Sequence, residues 1–257
     1  MAFLEMNFHS DALKMGVSVN VILPETAKTA IGIDSKTEQT YKTFFLLHGL
    51  SDDHTIWHRR TSIERYATER GVAVVMPAAG KSWYTDEADK YLTFIGEELP
   101  RVCRSFFKGM SDKAEDNFLV GNSMGGYGSV KIAFLYPETF GGAGSLSGAF
   151  AIAEFSKVCN GYEWQTVFGS DFKSADCLTG SRHDVFRISS DYKKSGKPFP
   201  KLYLWCGNED FFTASNREFS RHLTSLGCEH LFEDTDGDHS WGYWDIFVRH
   251  AFDYLLK

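Results

Sequence analysis

Short, continuous runs of apolar residues, separated by longer amphipathic segments, dominate the pattern of this sequence. The clearest runs are Phe44–Leu47, Val72–Met76, Phe118–Val120 and Leu202–Trp205. A strand covered on both faces has no polar side, so uninterrupted apolar runs are typical of a parallel sheet between two layers of helices. Val17–Leu23 instead alternates apolar and polar residues, which predicts a half-buried strand at the edge of the sheet.

Helices are predicted between and after these runs. The candidate segments are Thr61–Arg70, Asp89–Phe107, Met124–Tyr136, Thr213–Leu226 and Trp241–Leu256. Glycine or proline directly follows several of them, at the point where a helix should end. The alternation of strands and helices predicts an α/β fold, a three-layer sandwich with a mostly parallel central sheet.

Length and composition fit one domain. The chain has 257 residues, of which 43% are hydrophobic, and α/β domains of this size commonly bury a single large core. We therefore expect one domain over residues 1–257. Between Ala149 and Pro200 the pattern is less regular and contains many glycines, which predicts a small cap insertion at about 149–200.

The pentapeptide Gly121-Asn122-Ser123-Met124-Gly125 stands between an apolar run and a predicted helix. G-x-S-x-G at a strand-to-helix junction is the pattern of a sharp turn that presents a serine hydroxyl as a nucleophile. The glycines leave room for close backbone contacts around a strained residue. Such a short pattern also occurs by chance, so the assignment of Ser123 as a nucleophile depends on partners elsewhere in the chain.

A serine hydroxyl needs a base at neutral pH, and among the nine histidines His239 is the best placed. It follows the last predicted strand, His230–Glu233, and precedes the final helix, so its ring can reach the sheet edge. We expect a structural role for His48 in its glycine-containing loop. His54 and His58 have helical i,i+4 spacing but lack the glutamate of an H-E-x-x-H motif, so no metal or other cofactor is predicted.

Asp210 is the preferred acid to orient the imidazole, and Glu209 is the second choice. Both follow the apolar run Leu202–Trp205, and catalytic side chains gather at the carboxyl ends of the strands in an open parallel sheet. Asp236 and Asp238 are the alternatives, in the same turn-rich loop as the histidine. A residue from a separate loop is favoured because a triad acid usually comes from a different loop than its histidine.

The chain order of the three candidates separates one class of serine hydrolase from others. Ser123 comes first, Asp210 second and His239 third. This nucleophile, acid, base order is that of the α/β hydrolases and differs from the orders in chymotrypsin and subtilisin.

Two backbone amides are candidates for an oxyanion hole, which stabilises the negative charge that develops on an attacked carbonyl. One is the N–H of Met124, directly after the serine at a helix N-terminus; the other is the N–H of Leu50, in the loop after the first apolar run. Gly49 allows that loop to turn inward.

Charge and cysteine usage exclude several other functions. The net charge of -7 argues against a surface for nucleic acid or an anionic membrane, since Lys and Arg form no block dense enough to neutralise a phosphate array. The cysteines are scattered and odd in number, at Cys103, Cys159, Cys177, Cys206 and Cys228. They are expected to be free thiols in a reducing compartment. Without a leader-like or membrane-spanning segment, the sequence predicts a cytoplasmic protein that binds a small ester and neither nucleic acid nor membrane.

Several separated motifs together resemble the esterase D family. They are Leu46–Leu50, Gly121–Gly128, Trp205–Phe211 and His239–Trp244. Trp83–Asp86 is also similar to the Trp-Tyr-Thr-Asp segment of the bacterial tributyrin esterases within that family. The resemblance extends from about Phe8 to the final helix and is weakest in the predicted cap.

The resemblance implies a carboxylesterase of the α/β-hydrolase fold that cleaves short acyl esters through an acyl-enzyme. Ser123, Asp210 and His239 would form its triad, and the amides of Leu50 and Met124 its oxyanion hole. Related enzymes leave alternatives open: an S-formylglutathione hydrolase, which cleaves a thioester, a feruloyl or acetyl esterase of esterified sugars, or an acyltransferase. An inactive binding module would require the loss of a triad residue, and none is missing. Whether a homo-oligomer forms is left open.

Aromatic residues near the strand ends are candidates for the substrate pocket. Trp83 and Tyr84 follow the second apolar run, and Tyr127 lies one turn beyond the serine. Trp164 and Phe168 could line the pocket from the cap. Each of these side chains would fit equally well as ordinary packing.

Overall fold

An eight-stranded sheet forms the centre of the fold in a computed structural model that describes residues 1–25, 38, 40–158 and 164–257. The strands are β1 (Ala2–Ser10), β2 (Met15–Leu23), β3 (Thr43–Leu47), β4 (Ala73–Pro77), β5 (Asn117–Asn122), β6 (Gly142–Leu146), β7 (Lys201–Gly207) and β8 (His230–Thr235). Their order across the sheet is β1-β2-β4-β3-β5-β6-β7-β8. Strands β3 to β8 run parallel, whereas β1 and β2 pair antiparallel.

The prediction that Val17–Leu23 forms the sheet edge is wrong. Strand β1 pairs with β2 along its whole length, from Ala2 opposite Leu23 to Ser10 opposite Met15. The alternating pattern of β2 therefore reflects a hairpin, in which the outer strand β1 is the half-exposed one.

Helices cover both faces of the sheet. They are α1 (Ile56–Arg60), α2 (Ile63–Arg70), α3 (Tyr91–Thr93), α4 (Leu99–Phe106), α5 (Met124–Leu135), α6 (Ile152–Val158), α7 (Trp164–Phe168), α8 (Val185–Lys194), α9 (Thr213–Ser225) and α10 (Trp241–Leu255). A π-helical turn, Phe94–Glu98, joins α3 to α4, so the single helix predicted there is continuous but not α-helical throughout. Short 3-10 turns occur at Ala114–Asp116 and Ala175–Leu178.

Alternate residues of the central strands pack into two separate cores. Phe45 and Leu47 of β3 belong to the core beneath α4, α5, α8 and α9. Phe44 and Leu46 point the opposite way, into the core beneath α1, α2 and α10. This two-residue period across a doubly covered sheet produces the predicted three-layer α/β sandwich.

The segment between β6 and β7 contains α6, α7, a 3-10 turn and α8. Helix α8 packs against α5 in the helical layer, where the rings of Phe134 and Tyr192 lie 5.2 Å apart. The cap at 149–200 stays a prediction, and residues 159–163 within it lie outside the described residues.

Cysteine chemistry and membrane topology can be stated for the described part of the chain. The thiols of Cys103, Cys177, Cys206 and Cys228 are free there, and Cys159 lies outside it. Across the same ranges, none of the helices combines the length and the apolar character needed to cross a membrane.

Candidate active site

Ser123 stands at the junction of β5 and α5 in a strained backbone conformation. Its φ is 54° and its ψ is -117°, a combination that is unfavourable for a residue with a Cβ atom. Three backbone hydrogen bonds hold it: its N–H donates to the carbonyl of Leu146 at 2.9 Å, and its carbonyl accepts from Tyr127 and Ala149 at 3.1 and 3.2 Å. The half-buried serine is thus fixed between β6 and the first turn of α5.

Glycines beside the serine bring the loop after β3 against the first turn of α5. A Cβ on Gly125 would overlap the carbonyl oxygen of Leu47, and one on Gly121 would lie 2.8 Å from the same atom. Only glycine permits this close backbone approach. The segment that carries Leu50 therefore adjoins the segment that carries Met124, as an oxyanion hole built from their two amides requires.

His239 and Asp210 form a hydrogen-bonded pair at the carboxyl ends of β8 and β7. The Nδ1 atom of His239 lies 2.9 Å from Oδ2 of Asp210. A carboxylate only accepts, so Nδ1 carries the proton and the lone pair of Nε2 remains available to accept another. Glu209, the second candidate acid, is exposed, and so are Asp236 and Asp238.

Backbone hydrogen bonds hold the loops of this pair together. The N–H of Asn208 donates to the carbonyl of Thr235 at 2.8 Å, and the N–H of Glu209 donates to the carbonyl of Gly237 at 2.9 Å. A Cβ on Gly207 would overlap the backbone of Gly237. The separation between acid and imidazole is therefore set by main-chain contacts rather than by the two side chains alone.

Asp210 is a buried carboxylate that is kept ionised by hydrogen bonds. Burial alone would raise its pKa, but the hydrogen bond with His239 and the electrostatic attraction of that ring, with smaller contributions from the Ser147 hydroxyl and the Phe212 N–H, outweigh burial and lower the pKa. The Phe212 N–H donates to Oδ1 at 2.8 Å. The Asp210 side chain has no solvent exposure, whereas that of His239 is 18% exposed.

Aromatic rings surround the imidazole of His239. The ring of Phe211 lies 4.4 Å away and that of Phe212 5.5 Å away, centroid to centroid. The ring of Trp244 meets the imidazole edge-on at 4.9 Å. Phe211 is 69% exposed, so this group of aromatic rings is open to solvent on the side of Phe211.

His48 has a structural role in the loop after β3. Its Nε2 accepts from the N–H of Ala79 at 2.9 Å, so its Nδ1 must carry the proton that points to the carbonyl of Gly49 at 2.7 Å. Burial lowers the pKa of this histidine. With both nitrogens bonded to backbone, the ring braces the loop and is not free to act as a base.

The aromatic residues predicted to line the pocket are buried. Trp83 is 1% exposed and Tyr84 and Tyr127 are fully buried. The hydroxyl of Tyr84 donates to the carbonyl of His48 at 2.9 Å, and that of Tyr127 donates to the carbonyl of His183 at 2.7 Å. Both tyrosines therefore brace loops, and their burial does not support a direct contact with substrate.

Two side chains near the acid had no assigned role in the sequence patterns. Ser147 follows β6, and its hydroxyl helps to lower the pKa of Asp210; the indole of Trp244, on α10, donates to the Ser147 hydroxyl at 3.0 Å. The sequence motif around His239 includes Trp244, but nothing local indicates its partner. Ser147 lies in a small-residue segment without any site signature.

The fold and this geometry agree with comparisons to known proteins. Residues 10–248 match the family described as "Putative esterase". An acetyl esterase of Caldicellulosiruptor saccharolyticus is 30% identical over 267 aligned positions, which span 100% of this chain and 99% of that protein.

Solved structures are similar over the whole chain. The substrate-bound fluorophosphonate-binding serine hydrolase F of Staphylococcus aureus matches with a TM-score of 0.88 and 33% identity, covering 100% of this chain and 98% of that one. An S-formylglutathione hydrolase of the same organism matches with a TM-score of 0.84 and 32% identity, covering 100% and 99%. The chain described here belongs to the esterase family, as a carboxylic ester hydrolase of the α/β fold.

Proposed function

We propose that this serine carboxylesterase uses Ser123 as nucleophile, His239 as general base and acid, and Asp210 as the group that orients the imidazole. The proposal rests on the hydrogen bond of 2.9 Å between Nδ1 of His239 and Oδ2 of Asp210. This pair lies at the same edge of the sheet as the strained Ser123. It leaves Nε2 as the proton acceptor that a serine nucleophile needs.

The proposed reaction has two steps, formation of an acyl-enzyme and its hydrolysis. The Ser123 oxygen bonds to the ester carbonyl carbon while its proton passes to Nε2 of His239; the bond to the alcohol oxygen then breaks, and the alcohol leaves with that proton. Water next attacks the acyl carbon and gives a proton to Nε2; the bond from that carbon to Ser123 Oγ then breaks, the proton passes from Nε2 to the serine oxygen, and the acid leaves. The amides of Leu50 and Met124 are the proposed donors to the oxyanion in both steps.

Replacing Ser123 tests the mechanism. Ser123→Ala should lower kcat for 4-nitrophenyl acetate about 10,000-fold or more, because the covalent step is lost. Ser105→Ala is the matched control, since that exposed hydroxyl donates to the carbonyl of Val102 on α4. A fluorophosphonate probe should label the wild type and not Ser123→Ala. Unlabelled but folded wild-type protein would favour an inactive binding module instead.

We propose short-chain acyl esters as substrates, in keeping with the resemblance to tributyrin esterases. The acetyl esterase relative supports a small acyl group. A series of 4-nitrophenyl esters from acetate to octanoate should show kcat/KM falling with chain length. A maximum at the longest chain would contradict this choice, and acetylated or feruloylated sugars in the same assay test the sugar-ester alternative.

The second candidate is S-formylglutathione hydrolysis, which the similarity to the Staphylococcus aureus enzyme of that name favours. The two activities share the serine and differ in the leaving group. Side-by-side values of kcat/KM for S-formylglutathione and for a short-chain ester decide between them. A strong preference for the thioester would make that reaction the function.

We further propose a cytoplasmic location and a small-molecule ester as the partner, without nucleic acid or membrane. The four described free thiols and the net charge of -7 support these assignments. Fractionation of the source cells tests the location, and light scattering of the purified protein tests whether a homo-oligomer forms.

A further inference from the structure

Ser147 has an unusual backbone for a buried serine. Its φ is 53°, in the left-handed region that side chains other than Asn, Asp and Gly rarely adopt. The residue is fully buried at the end of β6, and its N–H donates to the carbonyl of Trp205 on the neighbouring strand β7 at 2.7 Å. Strain of this kind persists only where the surroundings fix the residue, and it concentrates at functional sites.

The direction of the hydrogen bonds through the Ser147 hydroxyl can be assigned. The indole nitrogen of Trp244 only donates, so the Ser147 oxygen accepts that 3.0 Å hydrogen bond. The single hydroxyl proton is then free to donate to Asp210, and the Ser147 hydroxyl lowers the pKa of that carboxyl. The result is a chain of donors that runs from Trp244 through Ser147 to the carboxylate.

Trp244 is linked to both partners of the acid–base pair, directly to His239 and through Ser147 to Asp210. Its ring meets the imidazole of His239 edge-on at 4.9 Å, and its N–H reaches Asp210 through Ser147. Its side chain is 5% exposed, so the indole cannot replace a lost partner with bulk water. A buried donor chain of this kind polarises along its length and holds its members in one arrangement.

We propose that Ser147 and Trp244 are positioning residues for the esterase reaction, which hold Asp210 and His239 in their paired arrangement. The inference rests on the proposed function of Asp210 and His239. Ser147 acts on the reaction through Asp210, and Trp244 acts through Ser147 and through its ring contact with His239.

The test uses variants that remove one donor at a time. Trp244→Phe keeps an aromatic ring against His239 and loses the indole N–H. Ser147→Ala loses the hydroxyl, and Ser147→Gly loses it while also relieving the positive φ. Trp241→Phe, on the same helix, is the matched control, since the indole that bonds Ser147 is that of Trp244. Each variant is compared with the full-length wild type in 4-nitrophenyl acetate hydrolysis from pH 5 to 9.

We expect Ser147→Ala, Ser147→Gly and Trp244→Phe each to lower kcat about 10-fold with KM nearly unchanged, the effect of losing one charge-assisted hydrogen bond. Without this donor, more negative charge remains on the carboxylate oxygen that faces His239. The acid limb of the kcat/KM profile should therefore move to higher pH. The Ser147→Ala/Trp244→Phe double variant should lose no more than Ser147→Ala alone, because both remove the same chain.

Additive losses in the double variant, with a pH profile like that of the wild type, would overturn the inference. That result would mean that Ser147 and Trp244 each contribute to packing and that they have no shared effect on Asp210. Recovery of full activity in Ser147→Gly would also overturn it, since the backbone and not the hydroxyl would then matter. Failure of the proposed function looks different: the wild type itself would lack Ser123-dependent hydrolysis and fluorophosphonate labelling.

Discussion

At the residue scale, the candidate site concentrates strain and buried charge in a few positions. Ser123 and Ser147 both have positive φ values, 54° and 53°, and they flank the same junction: Ser123 donates its N–H to Leu146, the neighbour of Ser147. Conformations of this kind cost about 1–3 kcal/mol each. Packing of α5 against β6 holds both conformations. Ser123, the candidate nucleophile, and Ser147, the proposed positioning residue for Asp210, are therefore fixed by the same two elements.

The contacts of Asp210 predict an unusually large effect of one isosteric change. In Asp210→Asn, the Phe212 N–H that now donates to Oδ1 would hold the amide oxygen, so the amide NH₂ would face His239. Nδ1 would then have to accept, and the proton would move to Nε2. We expect kcat at pH 7 to fall about 10,000-fold while the protein stays folded.

The measurement is kcat for 4-nitrophenyl acetate alongside a thermal melt. Glu209→Gln is the control, because this neighbouring carboxylate is exposed, and it should retain nearly full activity. An Asp210→Asn enzyme within 10-fold of wild type would assign the orienting role to another residue.

At the element scale, small residues decide how closely the central pieces approach. Strand β6, Gly142–Leu146, contains two glycines, an alanine and a serine. The sequence does not predict this strand, because it lacks the β-branched or aromatic residues typical of a strand. A Cβ on Gly126 of α5 would lie 2.6 Å from the Ser145 hydroxyl oxygen. The residues of β6 are small because α5, the helix that begins directly after Ser123, packs on this strand.

The loop after β3 is a second element whose position depends on buried hydrogen bonds. The Tyr84 hydroxyl donates to the carbonyl of His48 at 2.9 Å, next to the proposed oxyanion amide of Leu50. Tyr84→Phe should lower the free energy of unfolding by about 1 kcal/mol and also lower kcat, because the loop is less well fixed. Chemical denaturation and kcat for 4-nitrophenyl acetate measure the two effects.

Tyr127→Phe is the matched comparison, since its hydroxyl donates in the same way to the carbonyl of His183 at 2.7 Å. It should destabilise the protein similarly and leave kcat and KM close to wild type. A raised KM in Tyr127→Phe would instead support the contact with substrate that the sequence suggested.

At the scale of the whole molecule, buried ionisable groups make stability depend on pH. The pKa of Lys131 is lowered to about 7, chiefly by burial. The negative charges of Asp86 and Glu87 partly offset this effect, and the positive charge of Arg182 adds to it. Burial likewise lowers the pKa of His183 to about 4. In each case the unfolded chain binds more protons than the folded one between the two pKa values. The free energy of unfolding therefore rises with pH across that range.

The low pKa of the buried Lys131 amine predicts a measurable rise in the free energy of unfolding above neutral pH. Between pH 7 and 9 the free energy of unfolding should increase by up to about 2 kcal/mol. Lys131→Met should be more stable than wild type at pH 7 and should lose this increase. Urea unfolding at the two pH values measures it, with the exposed Lys173→Met as control. If the free energy of unfolding of Lys131→Met increased with pH as steeply as that of the wild type, the Lys131 amine of the folded wild type would have to stay protonated.

The sequence predicted the order of the main strands and helices and the loops that carry the candidate site. Burial on both faces of a parallel strand leaves a continuous apolar run, as in Phe44–Leu47, which a single segment reveals. Parallel strands also bring their carboxyl ends to one edge, so Asp210 and His239 could be placed near each other before any distance was known. Such signals are local or follow from topology.

Only the tertiary structure decided what holds those residues in place. The hairpin partner of β2, the burial of Tyr84 and the support of Asp210 by Ser147 and Trp244 all depend on segments far apart in the chain. Ser147 and Trp244 are separated by 97 positions, and a hydrogen bond between them has no local signature. A single sequence encodes each side chain's chemistry, whereas its partners are set by how the sheet and helices pack together.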